Sequence, residues 1–127
     1  MSKAIAVPAG APEAFFAGCP LGLAAFGAVY DRLIEIGPVE VRVSRSQVAF
    51  RRRRGFAYLW RPGRYIAHPA AEVVLSIALD RHDPSPRFKE VVHPASRVWL
   101  HHLEIRSLAD IDGEVAGWLA EAAARRG

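Results

Sequence analysis

The chain has 127 residues, 51% apolar and 24% charged, which suits one globular domain and excludes disorder over the whole length. One cysteine, Cys19, excludes an internal disulfide framework and a cysteine-rich zinc module. The net charge of +4 is uneven: residues 42–64 hold eight arginines and no acid, while the remainder sets nine basic residues against thirteen acidic ones.

Residues 1–11 are small and broken by Pro8, and read as a loose lead-in to a single domain over 12–125. The stretch 14–30 carries no charge. As a helix it spans about 25 Å, short of the roughly 30 Å hydrocarbon core, and Gly18, Pro20, Gly22 and Gly27 interrupt it. FAGC at 16–19 lacks the basic start and unbroken apolar run of a lipoprotein signal. The expectation is a cytoplasmic protein with no membrane partner. Residues 12–19 are expected to make a short helical turn, and the main helix to run from Pro20 to Ile36, with proline at home in the first turn. Leu23, Phe26, Tyr30, Leu33 and Ile34 recur at three- and four-residue steps as its core stripe. Gly37-Pro38 ends it, glycine in a left-handed cap and proline unable to continue.

The period then drops to two. Val39, Val41 and Val43 alternate with Glu40 and Arg42, a half-buried strand. A turn at 44–46 leads to a strand through Val48 and Phe50, which ends in Arg51–Arg54 with a turn at Gly55. Phe56, Tyr58 and Trp60 form a third strand, with Phe56 and Tyr58 expected in the core, and Pro62-Gly63 turns the chain again. Residues 72–79, EVVLSIAL, are apolar on both faces and read as a central strand. A polar loop at 80–87, a short strand at 87–92, a break at His93-Pro94 and a last strand at 97–105 follow. Ser107, with Asp110 three residues on, is expected to cap a closing helix whose stripe is Leu108, Ile111, Val115, Leu119 and Ala122. The sum is an α+β fold: a mainly antiparallel sheet of five to six strands, with an N-terminal and a C-terminal helix packed on one face.

Four stretches now carry a resemblance: FFAGCP at 15–20, VEVRVSRSQVAFRRRRGFAYLWRPGRY at 39–65, HHLEIRSLADID at 101–112, and the closing helix. Over about 12–125 the chain resembles a bacterial domain-of-unknown-function family of small stand-alone proteins. The resemblance implies one domain and supplies no catalytic residues. The helix–sheet–helix order is also broadly similar to frataxin-like iron-handling domains, which depend on an acidic ridge along the first helix. Here that helix offers only Asp31 and Glu35 beyond Glu13.

Three constellations could carry chemistry. The first is the basic–aromatic hairpin, in which Arg42, Arg45, Arg51 and Arg53 could grip an anion and Trp60 could stack on it. Fifteen arginines against two lysines, with twenty-two alanines, reflect GC-rich coding, so the clustering is informative and the abundance is not. The second is His102 with Glu104, two apart and therefore on one face of a strand, as a hydrogen-bonded or acid–base pair. His101 points the other way, towards the helices. Two ligands are too few for a zinc site, so no metal and no cofactor are expected. The third is the polar corner Ser44-Arg45-Ser46-Gln47, equally an anion contact or a turn satisfying its own backbone. No phosphate loop, nucleophile elbow or dinucleotide fingerprint occurs. The leading expectation is a small binding or interaction domain for an anionic small molecule or an acidic protein surface. Weak nucleic-acid binding through 51–54, and an enzyme using His102 and Glu104, are the alternatives. A homodimer is compatible with the pattern.

Overall fold

The computed structural model describes residues 10–127; the expected lead-in over 1–11 lies almost wholly outside the described residues. A short helix α1 (Ala11–Phe15) precedes α2 (Pro20–Ile36). Then come β1 (Glu40–Val43), β2 (Val48–Arg51), β3 (Gly55–Trp60), a 3-10 turn at Pro62–Arg64, and β4 (Val73–Leu79). β5 (Glu90–Ala95), β6 (Val98–Ile105), a second 3-10 turn at Leu108–Asp110, and α3 (Gly113–Arg125) complete the chain. The strands form one antiparallel sheet in the order β1-β2-β3-β4-β6-β5.

Register separates the two faces. Ala57, Ile77 and His101 stand side by side, as do Leu59, Leu75 and Leu103. All six are buried, and α3 packs over β3 and β4 with α2 beside it. The opposite face aligns Tyr58, Ser76 and His102, and next to them Trp60, Val74 and Glu104. β4 is buried along its whole length, as its apolar faces predict for a central strand.

Three expectations about the helices need correction. The inward face of α2 is centred on Gly22, Ala25, Val29 and Leu33. Leu23 is 36% exposed, and Phe26, Tyr30 and Ile34 flank the core. The small residues face inward because Phe16 lies directly on Gly22, where a β-carbon would overlap its ring. Gly22→Ala should therefore cost about 1–3 kcal/mol by overpacking, despite alanine's better helix propensity, and lower the thermal midpoint. Gly37 ends α2 with φ 154° and ψ −174°, a region open essentially to glycine alone, not the left-handed cap. Ser107 precedes the 3-10 turn, while α3 is capped by Asp112, whose carboxylate accepts from Val115 N–H at 3.1 Å. Leu108 is consequently exposed and outside the apolar stripe, whereas Trp118 joins the core.

The break expected at His93-Pro94 lies inside β5. Pro94 is tolerated because β5 is an edge strand, with a register shift between Val92 and Ala95. The loop before it is tied to α3. Arg81 forks onto Glu121 at 2.7 and 2.8 Å, and Arg87 bonds Asp112 and Glu114. Trp118 Nε1 donates to Asp83 at 3.1 Å. No helix among the described residues is long and apolar enough to cross a membrane.

Candidate functional site: a cleft on the uncovered sheet face

The face of the sheet away from α2 and α3 holds two adjoining clefts. The larger, about 550 Å³, is lined by Tyr58, Trp60, Ser76 and His102 from the strands, Tyr65 from the β3–β4 connection, and Arg126. Gln47 and Ser46 close one side, and Pro94 and Ala95 of the edge strand another. The smaller, about 390 Å³, lies beyond Trp60, Tyr65 and His102, which border both. Trp60 is the divider. Its ring meets Tyr65 edge-on at 6.1 Å and His102 at 5.7 Å.

A directed hydrogen-bond chain fixes the floor. Trp60 Nε1 can only donate, and it donates to Ser76 Oγ at 2.8 Å. Ser76 is buried, and its other partner is His102 Nδ1 at 2.6 Å. The hydroxyl proton therefore goes to Nδ1, because anywhere else it would be buried unpaired. This leaves the proton of neutral His102 on Nε2, which has no partner among the described residues. Burial lowers the His102 pKa, against the opposing pull of Glu90. The ring is thus a neutral N–H donor at pH 7.

Arg126 supplies the charge. It follows the end of α3 and lines the larger cleft, where no aspartate or glutamate is present among the described residues. Its Nε is buried without a hydrogen bond, and the group has no ion pair among the described residues. The smaller cleft is internally compensated: Glu104 accepts from Lys89 at 3.1 Å and from Arg106 at 2.8 Å. Burial pulls the Glu104 pKa up, but the two cations outweigh it and hold the carboxyl below its usual range.

The sequence-derived candidates fall into groups. Trp60 and His102 line the larger cleft, and Glu104 joins them in the smaller one. The acid–base pairing of His102 with Glu104 is not made, because Ser76 takes the histidine and two cations take the carboxylate. Arg42 pairs with Glu40 at 3.3 Å. Arg51 Nε forms an ion pair with the same carboxylate at 3.5 Å, without a hydrogen bond. Arg45 and Arg53 are exposed, and none of these four arginines lines the larger cleft. Three further arginines of the basic segment hold the fold together. Arg52 donates to the carbonyls of Pro38 and Ala123, Arg61 to those of Phe15 and Ala17, and Arg64 to those of Arg45 and Phe15.

The cleft residues overlooked from sequence are Tyr58, Tyr65, Ser76 and Arg126. Tyr58 lines the cleft instead of the core, while Phe56 is wholly buried. One signal was present: Ser76 is the lone polar residue in an otherwise apolar strand.

Fold and site together define a small α+β domain with helices on one sheet face and an aromatic, singly cationic cleft on the other. The chain belongs to the family described as Domain of unknown function (DUF5655), whose sequence profile matches residues 14–123. No curated protein and no solved structure matches it.

Proposed function

We propose that this is a binding domain for a small anionic molecule, held in the cleft on the uncovered sheet face and working in the cytoplasm. The observation that carries the reading is Arg126, an arginine lining a cleft with no acid among the described residues and with its Nε buried and unpaired. A buried N–H donor left so is costly until an acceptor meets it. His102 Nε2–H adds a second donor, and the aromatic walls supply area. Arg126 lines a concave cleft and not a flat ridge, which favours a small molecule over an acidic protein surface. Arg53 and Arg54 stay exposed without an ion partner among the described residues, which supports only weak, salt-sensitive contact with nucleic acid.

The test is native mass spectrometry of the protein isolated from its own host. A small anion should accompany the wild type and be absent from Arg126→Gln. Equal retention by both proteins would take Arg126, and the anionic reading, out of the site.

A further inference from the structure

The charge count and the walls of the larger cleft narrow the ligand class. Among the described residues the cleft is lined by one cationic side chain, Arg126, and by no second lysine or arginine. Burial disfavours the charged form of His102, and Ser76 occupies its Nδ1. A guanidinium fork matches the two oxygens of a carboxylate and neutralises one negative charge. A phosphate monoester, near −2 at neutral pH, would keep about one uncompensated charge among apolar groups. Three aromatic side chains supply the broadest walls: Tyr58 and Trp60 from one strand, and Tyr65 edge-on to Trp60. Apolar Ala78 and Leu100 complete the floor. Such walls favour a ring over a flexible or saturated chain. Lys89 cannot supply the missing second charge, because it borders the other cleft and is engaged by Glu104.

We infer that the larger cleft takes a planar aromatic monocarboxylate, its carboxylate on Arg126 and its ring among Tyr58, Trp60 and Tyr65. This rests on the anionic reading above and adds the ligand's charge and shape. The ring lies over the sheet beside Ser76, and His102 Nε2–H is the second polar contact available to it.

Four probes test this by NMR titration of the full chain: phenylacetate, its neutral isostere phenylacetamide, cyclohexylacetate and phenyl phosphate. Phenylacetate should move the Trp60 indole N–H and Ser76 resonances. It should bind at least about tenfold more tightly than phenylacetamide, as a charge-assisted pair requires. Cyclohexylacetate should bind about two- to tenfold more weakly than phenylacetate, and phenyl phosphate should bind no better. Arg126→Gln should erase the acid-over-amide preference. Tyr65→Ala should erase most of the ring preference; Tyr65 is largely exposed, so this variant keeps its fold. Tightest binding by phenyl phosphate, still dependent on Arg126, would overturn the monocarboxylate and leave the anion site standing. Equal binding of phenylacetate and cyclohexylacetate would overturn the ring. Equal binding of phenylacetate and phenylacetamide, unmoved by Arg126→Gln, would overturn the anion site itself.

Discussion

Val29→Asp is expected to leave no cooperatively folded protein, whereas Leu23→Asp on the same helix should shift stability by about 1 kcal/mol or less. Val29 is wholly buried on the inward face of α2, beside Ala25 and Leu33, while Leu23 is on the exposed side. An aspartate at 29 would be a buried carboxylate with no cation facing it, or a protonated one without hydrogen-bond partners. Either state costs several kcal/mol, comparable with the whole stability of a small domain. Phe26→Asp should fall between the two, since Phe26 flanks the core and stacks on Tyr30 at 5.8 Å and Phe50 at 5.7 Å. Urea unfolding followed by circular dichroism orders the three. A folded Val29→Asp, or an unfolded Leu23→Asp, would return the stripe to the residues that periodicity alone selects.

The rotation of that stripe shows how far pattern reading reaches. Counting large apolar residues finds the helix and its length, because period 3.6 persists from Pro20 to Ile36. It misplaces the centre of the face because Gly22 and Ala25 are the residues in closest contact, and small residues leave no hydropathy signal. The strands were legible from their period of two, and β4 from having no polar face. β5 runs over Glu90–Ala95, three residues later than the expected 87–92. The expected strand stops before Pro94 because proline argues against a strand until it is known to lie on an edge, and edge position depends on the order of all six strands. The site was less legible still. Tyr58 and Trp60 alternate as core residues do, so alternation could not say which face is covered. Arg126 joins Trp60 in one cleft only once the chain has folded, and next to a helix end it reads as a complement to the helix dipole. The arginine cluster drew attention for its charge, yet Arg52, Arg61 and Arg64 spend that charge on backbone carbonyls of neighbouring segments.

The two adjacent histidines should separate stability from binding. His101 is wholly buried on the helix side. Its Nε2 accepts from Asp83 N–H at 2.9 Å, so Nδ1 carries the proton and faces the carbonyls of Trp99 at 3.0 Å and Ile77 at 3.3 Å. His101→Ala would leave that N–H without an acceptor and open a hole beside Phe88, whose ring lies 4.7 Å away. The expected loss is about 3–5 kcal/mol. His102→Ala should cost less stability, since His102 is only half-buried and borders the clefts, but it should weaken ligand binding. Burial lowers both histidine pKa values below the ordinary one. The unfolded chain therefore takes up protons first as the pH falls. The contribution of each neutral ring is complete above about pH 6.5 and is lost as the pH drops through the folded-state values. Asp83 and Glu104 are held below the usual carboxylate range, so their loss belongs to a separate, more acidic window. Urea midpoints between pH 7.5 and 5 should thus fall steeply for the wild type and less steeply for each single variant. If His102→Ala cost more stability than His101→Ala, or if the acid slope survived both substitutions, the two neutral histidines would not be what ties this fold to pH.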